Sequence, residues 1–382
     1  MTATLDWRRY GAQALRTDAG LCAAWDRLNQ SGLNTPFMAV DAVRAALDEF
    51  GSGEELLLCG STGGHERAML LLSPSGRFRW GTFQPSQLPL GTWVAERGLS
   101  PDHLAKQAVS SRSLGGLCLA LSLTQVDPIQ SPRVADSPTT RCDDYVPTAW
   151  IELVGTFDEY WAARGKNLRQ NLRKQRNRLE AEGVTTELRV WRDQRDMAAA
   201  LVRYGALESS GWKAEVGTAI HPENAQGRFY TRLFEQAAAR GEALLTEYLF
   251  DGRTVAMNLG LQRGGIWVVL KTAYDESTAR TFSPASLLRE AELIHFFQPH
   301  SGIDRIEYYG RVMEWHTRLT DRQRMLYHLT CFRWAWLKKL AALRHTARSR
   351  TAAEGLRGEA TVTPARDQVG RGAALGASQK VD

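Results

Sequence analysis

Cysteine is scarce, with five residues in 382, at Cys22, Cys59, Cys118, Cys142 and Cys331. Their number is odd and none stands in a CxxC pair, which argues against a disulfide framework and a thiolate zinc site. No two histidines have the helical spacing of a zinc site. The expectation is reduced, buried thiols in a cytoplasmic protein that binds no metal. Long apolar runs are lacking too. The longest, Leu117 to Leu121, is far short of the roughly 20 residues that span a bilayer. The first residues carry Asp6, Arg8 and Arg9 without an apolar block, so no signal peptide is expected. Charge of one sign is only mildly in excess, +6 overall. Much of that is local, so the total does not argue for nucleic-acid binding.

What is present suits a two-domain globular chain, 43% hydrophobic and 24% charged. The spacing predicts helices at Cys22–Leu28 and Val43–Phe50, then β-type runs at Leu56–Cys59, Met69–Leu72 and Phe78–Phe83. A helix at Asp102–Ser110 follows Ser100-Pro101 and leads to a strand at Leu117–Leu123. Pro128, Pro132, Pro138 and Pro147, set among Ser, Thr and Asp, mark a linker. Beyond it come a strand at Ala149–Val154, one long helix at Phe157–Glu182, a strand at Val184–Trp191, and helices at Asp193–Leu207 and Asn224–Arg240. Strands at Leu244–Phe250, Thr254–Gln262 and Ile266–Tyr274 are joined by the hairpin dipeptides Asp251-Gly252 and Gly264-Gly265. A helix at Pro284–Phe297 and a strand at Arg305–Tyr309 complete the unit. A last helix is expected at Met325–Leu343, its apolar face packed on the second lobe or, as a lesser option, set on a membrane surface. From Arg344 onward apolar residues are few and a disordered tail is expected. The expected fold class is α/β (α+β), with lobes at 1–147 and 148–343 and a tail at 344–382.

One corner carries chemistry on its own terms. A strand ends at Tyr274-Asp275, a polar loop holds Arg280, and Ser283-Pro284 is a preferred pair for a helix start. Unbonded amides at Ala285, Ser286 and Leu287, backed by the helix dipole and Arg280, would make an anion site with room for phosphates.

Several blocks in one order resemble the CelD/BcsL-type acetyltransferases, relatives of the GNAT superfamily associated with cellulose biosynthesis. They are Glu208-Ser209-Ser210-Gly211-Trp212-Lys213, Gly217-Thr218-Ala219-Ile220, Phe229-Tyr230, Asp251-Gly252-Arg253, Lys271-Thr272-Ala273-Tyr274-Asp275-Glu276, and Ala279-Arg280 before Ser283-Pro284. The resemblance covers roughly Trp150 to Leu319. It implies a GNAT fold in the second lobe and a degenerate GNAT-like first lobe, each a mixed, mostly antiparallel sheet flanked by helices, as in FemAB peptidyltransferases. It also implies that Arg280, Ser283 and Ala285 hold the pyrophosphate of acetyl-CoA or another acyl-CoA, beside the Ser286 amide of the helix start, with Ala285 where the group usually has glycine. Where related sequences carry Tyr-Lys, this one has Trp315-His316.

The implied activity is an acyl-CoA-dependent N- or O-acyltransferase acting on a cell-envelope or polysaccharide precursor. Its rivals are a Fem-type transferase using aminoacyl-tRNA and a non-catalytic GNAT-fold binding protein. Backbone amides at Thr272, Ala273 and Tyr274 would bond the thioester carbonyl. Asp275 and His316 are candidate bases, and Tyr309 could protonate the departing thiolate. Glu208, Trp212 and Lys213 would grip the acceptor. Seven Lys/Arg and no acid lie between Arg164 and Leu179. Arg169, Arg173 and Arg176 share a face there. That face suits an anionic small-molecule, nucleotide-linked or lipid-linked acceptor, with tRNA less favoured, and is expected to lie away from the Arg280 corner.

Overall fold

The computed structural model describes residues 4–114, 117–209, 220–279 and 281–343. Met1–Ala335 form one compact unit and Trp336–Asp382 a second. The expected tail at 344–382 lies outside the described residues.

The strands are β1 (Asp6–Gly11), β2 (Leu56–Thr62), β3 (His65–Gly76), β4 (Arg79–Thr82), β5 (Trp93–Ala95), β6 (Ala120–Val126), β7 (Thr140–Glu152), β8 (Thr186–Trp191), β9 (Ala243–Phe250), β10 (Arg253–Arg263), β11 (Ile266–Tyr274), β12 (Arg305–Tyr308) and β13 (Gln323–Phe332). The helices are α1 (Ala14–Thr17), α2 (Ala19–Ser31), α3 (Val40–Phe50), α4 (Pro101–Ser110), α5 (Phe157–Ala162), α6 (Lys166–Ala181), α7 (Gln194–Ser209), α8 (Ala225–Ala239), α9 (Glu276–Ala279), α10 (Pro284–Phe296) and α11 (Glu314–Leu319). All are helices and strands of one mixed α/β fold.

The sheet runs β1-β2-β3-β4-β6-β13-β7-β12-β11-β10-β9-β8. It reads as two halves of one pattern. In each, an edge strand and helices precede three antiparallel strands, and a crossover holding a helix returns in parallel, β4 to β6 in the first half and β11 to β12 in the second. The halves meet where β13, from the end of the unit, pairs with both β6 and β7. Helices reinforce the joint. Small residues of α3, among them Ala42, Ala45 and Ala46, are buried where it packs on α8. Phe50 meets Phe229 edge-on at 5.3 Å and Arg228 pairs with Glu49 at 2.7 Å.

Three expectations need correction. The proposed linker is partly strand, because β7 starts at Thr140 and carries Pro147 beside a register shift in its partner β13, where the missing donor is tolerated. The single helix at Phe157–Glu182 is two, parted at Ala163–Gly165, with Gly165 at the start of α6. The apolar stripe from Met325 is not helical throughout. Leu326, Leu329 and Phe332 belong to β13, and helix occupies only residues 335–343. β-branched and aromatic content was too sparse there to reveal a strand that is buried on both faces.

Gly260 on β10 shows how closely the layers meet. A Cβ there would stand 2.1 Å from the Trp267 indole nitrogen, whose ring is fully buried and donates to the Leu244 carbonyl. Gly260→Ala should therefore lower stability by about 1–3 kcal/mol. Urea denaturation would measure it, and an unchanged midpoint would contradict this packing.

Candidate functional site

β11 and β12 part. Their parallel pairing runs from Ile266↔Arg305 to Val269↔Tyr308, after which β11 continues to Tyr274 with β10 on one side and, among the described residues, no strand on the other. The parting starts at a bulge. Lys271 pairs with Leu259 and Val269 with Gly260, so Leu270 is the extra residue and drops out of the ladder. The bulge also turns Leu270 and Lys271 toward the same side, that of α7 and α8.

On the other face, α10 begins beside the end of β11. The expected row of free amides is shorter than supposed. Ser286 and Leu287 donate to the Ser283 carbonyl at 2.9 and 3.0 Å, which leaves the Ala285 N–H. The N-cap carbonyl claims the later amides of a first turn, a point the sequence argument overlooked. Arg280 lies outside the described residues. Thr272 is tied down, its hydroxyl donating at 2.5 Å to Asn258, whose amide donates at 2.7 Å to Glu292. Ala273 is buried and Tyr274 is exposed.

Burial raises the Glu292 pKa to about 7, although Thr246 and Asn258 bond its carboxyl. A carboxyl whose folded pKa is raised contributes stability at low pH and loses it as pH climbs to that value. Glu292→Gln should thus gain on the wild type between about pH 4.5 and pH 7, by up to about 3 kcal/mol. Denaturation across that range tests it, and a flat difference would contradict it.

The first half has the same corner with the opposite charge. Ser100-Pro101 opens α4, but the next residue is Asp102, which pairs with Lys106 at 2.7 Å. An acidic side chain stands where Ala285 stands in the second half.

Asp275 has the bonding of a cap. It accepts from the Ser277 N–H and hydroxyl at 2.8 and 2.6 Å and pairs with Arg253. Burial alone would raise its pKa, but these bonds hold it well below the usual carboxylate range. Such a group is a poor base near neutrality.

On the α7/α8 face lies a cleft of about 650 Å³, lined by Leu270, Tyr230, Tyr309, Gly310, Tyr145 and Gln84 among others. Both halves of the sheet contribute to it. Tyr309 presents its ring there, while its hydroxyl donates to Asp127 at 3.3 Å. Burial pushes that hydroxyl well above its ordinary pKa, with Asp127 and Glu307 adding to it. Glu307 is itself held by Arg324 at 2.7 Å. At the back of the cleft's Tyr230, Lys271 stands 5.4 Å from the ring centroid. Its ammonium lies 3.1 Å from Glu208, whose other oxygen accepts the Ile220 N–H at 2.9 Å. Sequence reasoning quoted Lys271 without giving it a task. The available signal was a lone cation in an otherwise apolar strand. Trp212 and Lys213 lie outside the described residues.

The three catalytic candidates do not converge. Tyr309 faces the cleft, whereas the preceding Tyr308 meets His316 at 5.1 Å on the α10 face. Burial and nearby Arg289 pull the His316 pKa down to about 4, so the ring is neutral near pH 7. Its Nδ1 accepts the Met313 N–H at 2.9 Å, which leaves the proton on Nε2.

The cationic helix α6 also sits on the α10 face. Leu172 and Leu179 pack with Leu287 and Leu288, and Gln175 accepts the Ser283 N–H at 2.7 Å. The expectation that this helix lies away from the α10 corner is overturned. Arg176 pairs with buried Glu290, and Arg169 bonds the Arg164 carbonyl at 3.1 Å. Arg173 is exposed.

No curated protein is significantly similar to the chain. In fold it is similar to the C-terminal domain of a putative lysylphosphatidylglycerol synthetase from Agrobacterium fabrum, at 13% identity and a TM-score of 0.51, over 85% of this chain and 96% of that one. Weaker likenesses, which carry no argument, join it to a Bacillus licheniformis L-PGS (16% identity, TM-score 0.45, 76% and 91% covered) and to a tandem GNAT protein from the clavulanic acid biosynthesis pathway (15%, 0.43, 85% and 98%). Residues 166–317, from α6 into α11, match the family model described as an acetyltransferase (GNAT) domain, over less than half of the chain.

Proposed function

We propose that the chain is an acyltransferase that takes its acyl group from acetyl-CoA or another acyl-CoA. The observation that carries this is the parting of β11 and β12 at a bulged residue, with the start of α10 on one face and the cleft on the other. A thioester in the gap would run from phosphates at the Ala285 amide to a carbonyl beside Leu270, the extra residue of the bulge. Arg178, which pairs with Glu182 at 2.7 Å, lies over Phe282 just before Ser283 and brings a guanidinium to the phosphate end. The contrast of Asp102 with Ala285 supports one donor site per chain, in the second half.

The acceptor would enter by the cleft. Its amine or hydroxyl attacks the carbonyl and yields a proton to Glu208, which Lys271 and the Ile220 amide hold in place. The C–S bond then breaks and the thiolate leaves, taking a proton from water, while Glu208 later returns its own proton to solvent. Tyr309 forms a wall of the cleft rather than the acid, because its proton is engaged by Asp127. The resemblance to CelD/BcsL-type proteins favours an acceptor from cell-envelope or polysaccharide synthesis. The cations of α6 lie across the sheet from the cleft, so an anionic acceptor no longer rests on them.

Release of CoA thiol from acetyl-CoA, followed with a panel of sugar and lipid-linked precursors, tests the proposal. Acceptor-dependent release is expected. Binding of acyl-CoA without turnover on any acceptor would favour the non-catalytic alternative.

A further inference from the structure

Arg289, on the second turn of α10, is only 9% exposed. It makes no hydrogen bond or ion pair with any described residue, and its Nε is sealed from solvent without a partner. Its guanidinium lies flat on Trp315, 3.5 Å from the ring centroid. Arginine keeps its charge inside proteins, so stacking on one ring with only the field of Glu292 nearby leaves that charge without a direct partner. Such a side chain calls for an anion.

Its surroundings say where the anion belongs. Trp315, the ring on which Arg289 stacks, meets Tyr308, the last residue of β12, edge-on at 5.3 Å. Arg289 therefore stands at the end of β12, where the pairing with β11 stops. The nearest carboxyl, Glu292, is turned toward Thr246 and Asn258. His316 stacks on the same Trp315, with its Nε2–H left to donate. No acidic group closes the gap from α11, whose Glu314 pairs outward with Arg318. The site lies six residues past Ser283, about 9 Å down the helix from the phosphate corner.

We propose that Arg289 binds an oxyanion of the bound donor, either a carboxylate carried on the acyl group or a phosphate of its carrier. This rests on the gap being the donor site. A carboxylate is the better fit, because the start of α10 already serves phosphate. The donor is then a dicarboxylic acyl thioester of the succinyl or malonyl class rather than a plain acetyl one.

Calorimetry of the full chain with CoA, acetyl-CoA and succinyl-CoA tests it, beside Arg289→Gln. The expected result is succinyl-CoA binding about tenfold more tightly than acetyl-CoA, with the difference lost in the variant and CoA unaffected. Equal weakening of all three in the variant would support the same site with phosphate as its anion. Arg289→Met gives a second readout. It should melt no lower than the wild type, since it removes an unpaired buried charge and keeps an apolar stem under Trp315. A lower melting temperature with unchanged affinities would make Arg289 a packing residue and overturn the proposal. If no thioester binds the wild type, the acyl-CoA reading fails instead. Succinate and inorganic phosphate then decide, as a thermal shift lost in Arg289→Gln supports the anion site and no shift overturns it.

Discussion

Replacing Arg324 by leucine should lower stability by about 3–5 kcal/mol, enough to unfold much of the protein at ordinary temperature. The side chain is 4% exposed and reaches two carboxylates, bonding Asp127 through Nε and Nη2 at 2.8 and 2.9 Å and Glu307 through Nη1 at 2.7 Å. It also lies over the rings of Trp150 and Tyr309. The three charged residues come from β13, the end of β6 and β12, so one guanidinium fastens the two halves of the sheet where they meet. Removing it leaves two buried carboxylates facing each other without a cation. Urea denaturation near neutral pH measures the loss. A variant within about 1 kcal/mol of wild type would mean that the cluster does not hold the halves together. Replacing all three residues by apolar ones should be far milder, because no charge is then stranded.

Glu208→Gln should lower kcat by about a hundredfold or more while KM for the acyl-CoA stays near wild type. Glutamine keeps an oxygen for the Ile220 N–H, so the local fold is preserved, yet it cannot accept a proton from the acceptor. Lys271 keeps its contact with Gln226 at 3.3 Å. The split between kcat and KM separates a base from a structural member of the pair, which would change both or neither. Wild-type turnover in the variant would remove Glu208 from the chemistry.

The order of elements through the second half was legible because its signals are local. Asp251-Gly252 and Gly264-Gly265 set the hairpins, and Ser283-Pro284 set the start of α10. What was not legible depends on distant pairing. β13 lies between β6 and β7, far from both in sequence, so its residues carried no pattern that named their partners. The same holds for the site. Ser283 and Ala285 stand at the helix start that Ser283-Pro284 signalled. Gln175 meets Ser283 only because α6 folds back on α10, and that contact puts the cationic helix on the face proposed for the donor. Lys271 gained a reason to be charged only when Glu208 arrived opposite it. Asp275 and His316 looked like bases by residue type, but their environments lower both pKa values, one by hydrogen bonding and one by burial.

The central claim is that a thioester donor lies between β11 and β12 with its phosphates at the start of α10. Titration of acetyl-CoA into wild type and Ser286→Glu by calorimetry tests it most directly. Ser286 follows Ala285 in the first turn, and a carboxylate there would repel phosphates while suiting the helix dipole, so the fold should hold. The account predicts saturable binding by the wild type and at least tenfold weaker binding by the variant at an unchanged melting temperature. Equal affinity in the two proteins, or no binding by the wild type, would contradict it.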